Sequence, residues 1–209
     1  MQPQLLLMDE PLASLDAARR HEIFPWLARL RDDLKIPMLY VTHSAEEVTR
    51  LADHLVVLDK GQVKAQGPVN QVLTQVVNPV LVGEDAGALI AGHIGAVDAQ
   101  WHLSRVDFDG GAVWMRDAGM QVGKAVRIRI LARDVSLATS EPQNTSIQNQ
   151  LRGSIQSITP DAHPSQVMVV LKCGAEEVLA RVTKRAVDDL ALQVGMSVWA
   201  QVKSVALVA

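Results

Sequence analysis

One short stretch near the amino terminus, LLLMDEPLASLD, limits the possible folds more than any other part of the chain. Its apolar run lies between Pro3 and Pro11 and ends in Asp9 and Glu10, which is typical of a buried strand in a parallel sheet. In α/β folds, ligands bind at the carboxyl ends of such strands. Two carboxylates at that place can hold Mg²⁺ and polarise a water molecule. The same pattern also fits a solvated strand end, so the motif alone leaves both interpretations open.

The residues that follow predict a helix and then a second strand. Asp16 is a plausible N-cap, and apolar side chains recur at helical spacing from Ile23 to Leu34. Pro25 falls inside this pattern and should kink the helix or mark its first turn. Residues 36–43, IPMLYVTH, then predict a second buried strand that ends in a polar pair.

Two further signals complete an α/β unit over residues 1–78. Ser44 with Glu47 forms a capping box that opens a helix to about residue 53. Residues 54–67 predict a hairpin around an Asp-Lys-Gly turn. Because strand, helix, strand and helix follow in that order, we expect a parallel sheet.

Composition narrows the setting in which the chain works. Apolar residues make up 48% of the 209 residues, so a core can form, and the net charge of -3 gives no reason to expect nucleic acid or an anionic membrane as partner. Cys173 is the single cysteine, which excludes an internal disulfide and fits a reducing cytoplasmic setting. The amino terminus shows no secretory signal pattern, and the sequence has no run of 18 apolar residues that would span a bilayer.

The second half of the chain is predicted to be rich in strands. Residues 78–98 carry an Asn-Pro pair and several glycines without a clean period, which predicts a linker or domain boundary over residues 79–100. Residues 101–143 predict a β-rich connecting segment. Five short strands from residue 125 onward, with one helix over residues 184–192 opened by Thr183, predict an all-β barrel of the oligosaccharide-binding (OB) type. This barrel domain is assigned to residues 144–209. No long internal repeat is evident.

Two more features accompany the carboxylates at the amino terminus. Ser14 and Asp16 follow them within a few residues, and His43 ends the second predicted strand. A histidine at that strand end could contact a γ-phosphate and the attacking water, whereas a lone histidine is also often a capping or solvated residue. Three such elements, in order on two consecutive strands, are hard to obtain by chance.

The stretch LLLMDEPLASLD followed by YVTHSAEEVTRLADHLVVLDKGQV closely resembles the second half of an ABC-transporter ATPase domain. The resemblance implies part of a P-loop ATPase fold and a site for ATP with Mg²⁺. It implies that Asp9 contacts the Mg²⁺ through water, that Glu10 is the general base and that His43 senses the γ-phosphate. It also implies a loop across a dimer interface, formed here by Ser14 and Asp16.

Two motifs of that family are missing from this sequence. The family carries a phosphate-binding loop, G-x-x-x-x-G-K-[ST], ahead of this strand and a Leu-Ser-Gly-Gly-Gln-like signature segment, and neither occurs here. The loop supplies the backbone amides and the lysine that hold the β- and γ-phosphates. We therefore expect this chain alone not to hydrolyse ATP.

Thr145, Ser146, Lys203 and Ser204 lie at the ends of predicted strands in the barrel. They suit strand caps and a solvated lysine, but hydroxyls, amides and a cation are also the groups that hold a tetrahedral oxyanion. The segments TSIQNQLRGSI, LARVTKRAVDDLAL and VGMSVWAQVKSVAL resemble the Mop, or molbindin, domain of TOBE type, which implies that these four residues bind molybdate or tungstate. That family often has Arg where this chain has Gln148, so one expected cation is absent.

The order of these parts matches the ATP-binding subunit of bacterial molybdate importers. The resemblance implies an α/β domain followed by an all-β OB-like barrel, with molybdate as a regulatory ligand. It implies a homodimer at the cytoplasmic face of the inner membrane, peripheral to it, which works with a permease and indirectly with a periplasmic binding protein. Two alternatives stay open: a non-catalytic molybdate-binding or storage module with an ATPase remnant, and the ATPase subunit of a sulfate or sugar importer.

Overall fold

The computed structural model describes residues 4–34, 36–74 and 86–208 of the chain. Within these ranges the helices are α1 (Ala17–Leu34), α2 (Ala45–Leu51), α3 (Val69–Thr74) and α4 (Lys184–Asp189). The first strands are β1 (Leu6–Asp9), β2 (Met38–Val41), β3 (His54–Asp59) and β4 (Gln62–Pro68). The later strands are β5 (Gly87–Asp98), β6 (Leu103–Phe108), β7 (Gly111–Arg116), β8 (Ala125–Leu131), β9 (Val135–Ala138), β10 (Asn149–Pro160), β11 (Gln166–Cys173), β12 (Glu176–Thr183), β13 (Ser197–Val202) and β14 (Ala206–Val208), and a 3-10 turn spans Ala132–Asp134. Among the helices of the described ranges, none is long and apolar enough to cross a membrane.

The first two strands form the predicted parallel pair. β1 runs beside β2 with Asp9 opposite Val41, and helix α1 connects them. Asp16 caps α1, because its Oδ1 atom accepts a hydrogen bond from the Arg19 N–H at 2.9 Å. Pro25 lies inside the continuous helix, so the expectation that it marks the first turn is wrong.

Of the two reciprocal hydrogen bonds in the capping box predicted for α2, one forms. Ser44 Oγ accepts a hydrogen bond from the Glu47 N–H at 3.4 Å. The Ser44 N–H, however, donates to Thr42 Oγ1 at 3.0 Å. The Glu47 carboxylate is buried and accepts from the Tyr40 hydroxyl at 2.9 Å. Glu47 therefore ties the start of α2 to the end of β2.

The hairpin predicted next is formed by β3 and β4. Its turn places Lys60 and Gly61 at φ angles of 50° and 75°. Positive φ at both central residues is the type I′ geometry, whose twist matches that of the flanking strands. The Asp-Lys-Gly signal in the sequence therefore predicts both the position and the type of the turn.

The remaining strands form two five-stranded sheets. The first has the order β14-β8-β5-β6-β7, and the second has the order β9-β13-β10-β11-β12. The linker predicted over residues 79–100 is wrong for residues 87–98, which form β5 in the middle of the first sheet. Residues 79–85 lie outside the described part of the chain. Strands β6 to β9 occupy the segment predicted to be a β-rich connection over residues 101–143.

The two sheets are structural repeats, which the sequence analysis misses. Strands β5 to β8 match β10 to β13 in order and in pairing. The first strand of each repeat has a bulge directly after an isoleucine, Ile94 in β5 and Ile155 in β10. A Gln-Val-Gly turn lies against each bulge. The N–H of its glycine, Gly123 or Gly195, donates to the carbonyl of the isoleucine at 2.7 Å in both repeats. Both glycines have positive φ, 84° and 86°, which explains the residue type.

The two repeats exchange their last strands. β9, which ends the first repeat, pairs with β13 of the second, and β14, which ends the second, pairs with β8 of the first. The barrel predicted over residues 144–209 is therefore not closed by its own strands, because one strand comes from before residue 144 and its last strand joins the other sheet. The single strand predicted over SVWAQVKSVALV is divided into β13 and β14 for the same reason. The helix predicted after Thr183 is confirmed as α4, with Thr183 Oγ1 accepting from the Ala186 N–H at 3.1 Å.

Both repeats contribute to one apolar core. The fully buried side chains of this core come from both sheets and include Ile90, Ile94, Ile128, Ile130, Val106, Val113, Leu151, Ile155, Leu171, Val169 and Val178. The free Cys173 belongs to the same core, and burial raises the pKa of its thiol to about 11. Cys173 therefore acts as a small apolar side chain and not as a reactive thiolate.

The amino-terminal α/β part packs on the first sheet. Side chains of α2 and β3 lie against a buried cluster that contains Leu89 and Val208. Arg127 of β8 adds a polar link, donating to the Ala52 carbonyl at 3.3 Å and to Asp53 Oδ1 at 2.5 Å. A cation beside the last carbonyls of a helix is also favoured by the helix dipole. The end of α2 is therefore fixed to β8.

Replacing Ile94 or Ile155 by alanine tests whether the two repeats fold as one unit. Each side chain is fully buried in the shared core. Each substitution should therefore lower the free energy of unfolding by about 2–5 kcal/mol. Both should shift the same cooperative transition, followed by circular dichroism during urea unfolding.

Val122→Ala and Val194→Ala are the matched controls, because these residues occupy equivalent turns and are 63% and 65% exposed. Each should change the stability by less than about 0.5 kcal/mol. Two separate transitions, each sensitive to only one of the isoleucine substitutions, would contradict a shared core.

Candidate functional site

The carboxylate and the histidine predicted at the strand ends are in contact. Glu10 follows β1 and His43 lies two residues beyond β2, and the carboxyl ends of these parallel neighbours meet at one edge. His43 Nδ1 lies 2.8 Å from Glu10 Oε1, although the two residues are 33 positions apart in sequence. The structure thus brings together the two predicted catalytic residues, which we call the carboxylate–histidine pair, and their roles stay predictions.

The backbone at Glu10 has an uncommon conformation. Its φ of 45° lies in the left-handed region that residues other than glycine seldom adopt. Its N–H donates to the Val41 carbonyl at 2.9 Å, so the parallel ladder continues one step beyond β1 and holds the turn. Such conformations cost on the order of 1–3 kcal/mol and cluster at functional sites. Here the turn leaves the Glu10 carboxylate in contact with His43.

Acidic groups around His43 favour its protonated form. The hydrogen bond with Glu10, and then the negative charge of Glu10, raise the pKa of His43 above its ordinary value of 6.5. The charge of the buried Glu47 acts in the same direction with a smaller effect. Burial, and then the hydrogen bond to Glu47, raise the pKa of Tyr40, so this hydroxyl stays a donor. His43 is therefore influenced by two carboxylates: Glu10, which it contacts, and Glu47, which accepts a hydrogen bond from the Tyr40 hydroxyl.

The other residues predicted for the nucleotide site lie near this pair without contacting it. Asp9 ends β1 with an exposed side chain, and Ser14 is exposed in the turn before α1. Asp16 serves as the cap of α1 and forms a weak ion pair with Arg19, with Nε and Oδ2 3.7 Å apart. Among the described contacts, none joins Asp9 or Ser14 to the carboxylate–histidine pair.

The donor set at Asp9 fits only an indirect metal contact. In the part of the chain that the structure describes, no group of three or more His, Cys, Asp or Glu side chains is arranged to hold a metal ion. Mg²⁺ at nucleotide sites is commonly held by one or two carboxylates together with waters and phosphate oxygens. Asp9 is suited to such a water-mediated contact and cannot hold the ion without a nucleotide.

The second predicted site lies where β13 ends. Lys203 follows this strand, and its N–H donates to the Asp134 carbonyl at 2.8 Å on the side of β9. Asn149 of β10 is paired with Val202 of β13. If this register continues by one residue, Gln148 lies opposite Lys203. Ser204 Oγ donates to Asp134 Oδ2 at 2.5 Å. Both Lys203 and Ser204 are exposed. We call this region the oxyanion edge.

The two hydroxyl residues predicted to complete this site lie in an exposed turn before β10. Thr145 Oγ1 accepts a hydrogen bond from the Ile147 N–H at 3.2 Å, and Ser146 is exposed. They belong to the same edge as Lys203 because β10 and β13 are antiparallel neighbours. No hydrogen bond within the described ranges joins Thr145 or Ser146 to Lys203 or Ser204. The four residues therefore share one edge but do not form a closed cradle.

Two residues of this edge escape the sequence analysis. Asp134 accepts hydrogen bonds from the Lys203 N–H through its carbonyl and from the Ser204 hydroxyl through its carboxylate. Asn149 is 8% exposed and exchanges two hydrogen bonds with the Trp114 backbone, accepting at 2.7 Å through Oδ1 and donating at 2.8 Å through Nδ2. A polar residue within an apolar strand is a signal that points to Asn149. Asp134 has no local signal, because its contact arises from the exchange of strands.

The first repeat keeps the geometry of this edge but not its chemistry. Lys203 follows β13, whose neighbours in the sheet are β10 and β9. Leu131 has the equivalent position at the end of β8, whose neighbours are β5 and β14. Ala86 and Ala132, whose backbones are joined by a 2.8 Å hydrogen bond, lie in a small buried apolar cluster. Leu131 therefore occupies in the first repeat the position that Lys203 occupies in the second.

Comparison with known proteins relates both halves of the chain to one family. The TOBE domain family matches residues 145–209. The molybdenum import ATP-binding protein ModC of Methylococcus capsulatus is 50% identical over 205 residues, which are 98% of this chain and 58% of that protein. The protein of the same name from Thiobacillus denitrificans is 47% identical over 208 residues, 100% of this chain and 58% of the relative. The chain thus spans less than two thirds of the length of these relatives.

A solved structure supports the β fold. The cytoplasmic molybdate-binding protein ModG, with molybdate bound, superposes with a TM-score of 0.51 at 25% sequence identity. The match covers 58% of this chain and 94% of ModG. The expected fold class, a partial α/β ATPase domain followed by OB-like β structure, is confirmed. Over almost its whole length, the chain is close to half identical to these molybdenum import ATP-binding proteins, of which it covers 58%.

Proposed function

We propose that this chain is the part of an ABC-type molybdate importer ATPase that carries the water-activating residues and an oxyanion-binding regulatory domain. The 2.8 Å contact between Glu10 Oε1 and His43 Nδ1, at the ends of adjacent parallel strands, carries the proposal. A carboxylate beside an imidazole can orient a water molecule and take up its proton. The similarity to the ModC relatives supports ATP as the substrate.

Each residue of the nucleotide part has a distinct role in this proposal. Glu10 accepts the proton of the attacking water, and His43 holds the carboxylate until the substrate enters. The imidazole side chain is 78% exposed, so it is free to turn its donor towards a γ-phosphate oxygen. Asp9 contacts Mg²⁺ through water, and the ion supplies charge that stabilises the transferred phosphoryl group. Ser14 and Asp16 are exposed on the surface that faces a second copy.

The residues present include the groups that would activate water at a nucleotide site, but not the groups that would hold the phosphates. The sequence contains no glycine-rich loop with its lysine and no signature segment. Activity therefore depends on these two parts, and this chain alone is inactive.

The oxyanion edge binds molybdate or tungstate. Lys203 supplies the charge, and Thr145 and Ser146 supply hydroxyl donors on exposed ends of neighbouring strands. Ser204 joins them when its hydroxyl turns from Asp134 to the anion. Gln148 offers a neutral amide donor where the related domains often carry a second cation. The similarity to ModG, a molybdate-binding protein, supports this choice of anion. With one cation facing a doubly charged anion, the affinity is modest.

Contacts through the fold support regulation of the ATPase part by the anion. β14 begins two residues after Ser204 and pairs with β8. Arg127 of β8 holds the end of α2 through the Ala52 carbonyl and Asp53. α2 begins directly after its cap Ser44, which follows His43. A change at the oxyanion edge therefore reaches His43 through two paired strands and one helix.

The assembly follows from the family. Two copies join through the surface that carries Ser14 and Asp16, and the dimer docks peripherally on a permease at the cytoplasmic face of the bacterial inner membrane. A periplasmic binding protein contributes indirectly, and nucleic acid is not a partner. The single buried Cys173 and the net charge of -3 support this setting. Sedimentation of the protein with membranes that lack the permease would contradict it.

A non-catalytic molybdate-binding module is the second candidate. It is favoured by the match to 94% of the length of ModG. It differs from the leading proposal in one respect, because the carboxylate–histidine pair then has no substrate. Competition between molybdate, tungstate and sulfate for the oxyanion edge separates both candidates from a sulfate importer.

Glu10→Gln should abolish turnover while keeping the substrate site. The test uses this chain extended by the phosphate-binding loop and signature segment of a ModC relative. Because the general base is lost, kcat should fall by a factor of about 10²–10⁴ with little change in nucleotide affinity. Glu22→Gln, an exposed carboxylate on α1, is the matched control and should keep normal turnover. Normal turnover in the Glu10 variant would exclude Glu10 as the general base, whereas no turnover in the unchanged extended protein would favour the binding module.

The same variant reports on the pair in this chain alone. Because the pKa of His43 is raised, the contribution of the pair to stability is present below pH 6.5 and is lost as the pH rises through the raised pKa. In an NMR titration of the imidazole, Glu10→Gln should move the pKa of His43 back towards 6.5, and Glu22→Gln should not. An identical His43 titration in both variants would show that the contact does not exist in solution.

Lys203→Ala should remove binding of molybdate to this chain. Lys203 is the cation of the oxyanion edge, so its loss should weaken binding by at least about tenfold in isothermal titration calorimetry. One anion should bind per chain, because the equivalent edge of the first repeat carries Leu131. Lys184→Ala, an exposed lysine at the start of α4, is the control. Equal affinities for all three proteins would place the anion elsewhere.

Arg127→Ala should separate anion binding from its effect on turnover. Arg127 joins β8 to the end of α2 and lies outside both sites. In the extended protein the variant should bind molybdate with normal affinity, while molybdate should no longer change the rate of ATP hydrolysis. Arg116→Ala, an exposed arginine at the end of β7, should keep the response. A full response in the Arg127 variant would exclude this route.

A further inference from the structure

We propose that Asp134 is a specificity-determining residue of the oxyanion edge, which weakens the binding of doubly charged anions more than that of singly charged ones. This inference rests on the proposed binding of an oxyanion at Lys203. Asp134 lies in the 3-10 turn between β8 and β9, outside the segments whose sequence points to anion binding.

Asp134 contacts both residues that follow β13. Its carbonyl accepts a hydrogen bond from the Lys203 N–H at 2.8 Å, and its Oδ2 atom accepts one from Ser204 Oγ at 2.5 Å. The hydroxyl of Ser204 therefore already has an acceptor, and that acceptor carries a negative charge. Because Ser204 directly follows Lys203, an oxyanion that binds to both residues comes close to this carboxylate.

The strand exchange fixes the position of this carboxylate. The chain crosses from the first repeat to the second sheet between β8 and β9, and it crosses back between β13 and β14. Asp134 lies in the first crossing and Ser204 in the second, so their hydrogen bond joins the two crossings. The Lys203 N–H bond to the Asp134 carbonyl fixes the backbone of Asp134 at the edge, and the hydrogen bond from Ser204 Oγ holds its carboxylate there.

The charge of the anion decides how strongly this carboxylate acts. Coulomb repulsion is proportional to the ligand charge, so it is twice as large for molybdate as for a tetrahedral monoanion of similar size. The factor by which Asp134 weakens a dianion should therefore be the square of the factor for the monoanion. A site weakened in this way responds to an excess of molybdate and not to traces, which suits a regulatory role.

The test compares Asp134→Asn with the unchanged chain. Asparagine keeps an oxygen acceptor for Ser204 and removes the charge. Isothermal titration calorimetry at low ionic strength should give about tenfold tighter binding of molybdate and about threefold tighter binding of perrhenate, the monoanion probe. Both gains should shrink in 0.5 M sodium chloride, because salt screens exposed charges. Asp188→Asn, which removes an exposed carboxylate of α4, is the charge-matched control and should leave both affinities unchanged.

The outcomes separate this inference from the proposed function. Equal or weaker molybdate binding by the Asp134 variant, with the unchanged chain binding normally, would overturn the inference and leave the oxyanion site in place. Equal gains for molybdate and perrhenate would also overturn it, because the effect would then not be one of charge. If neither protein bound either anion, the proposed site and this inference would both fail. Binding by the variant alone would support the inference.

Discussion

The exchange of β9 and β14 between the two repeats is the constraint on which the rest of the β structure depends. Each sheet takes the strand beside β8 or β13 from the other repeat, so neither sheet is complete alone. The inward side chains of both sheets pack on each other, so the two repeats share one continuous core. The exchange also creates the crossings at Asp134 and Ser204, and it joins β14 to β8, where Arg127 holds the α/β part. One topological feature therefore positions the oxyanion edge and connects it to the other site.

The elements predicted correctly from sequence are those that depend on neighbours close in the chain. Asp16, Ser44 and Thr183 cap helices through hydrogen bonds three residues away, which a local pattern can indicate. The approach of Glu10 to His43 was also predictable, because consecutive parallel strands in an α/β unit bring their ends together. The repeats were missed because little more than the Gln-Val-Gly turns marks them. The contact between Asp134 and Ser204 spans 70 residues and follows only from the strand exchange.

The wrong prediction of a linker has a specific physical cause. Glycines in residues 87–98 were interpreted as signs of a flexible segment, but they lie in β5, where another strand comes very close. A Cβ atom at Gly92 would lie 2.6 Å from the Asp107 carbonyl oxygen, and one at Gly95 would overlap the Asp107 carboxylate. Glycine in a strand often marks such a close approach of backbone. Glycine suits both a linker and a tightly packed strand. Only the contact with the neighbouring strand in the folded structure distinguishes the two.

The state of the carboxylate–histidine pair links the two proposed sites energetically. The hydrogen bond from His43 occupies Oε1 of Glu10 and lowers its basicity, so under the proposed roles Glu10 accepts a proton from water more readily when the pair opens. The imidazole is 78% exposed, and ion pairs between exposed groups contribute little to stability. A small displacement of α2, which begins beside His43 and ends at Arg127, is therefore sufficient to favour either arrangement. Under the proposed function, a weakly bound anion is sufficient to shift this contact, because the contact is itself weak.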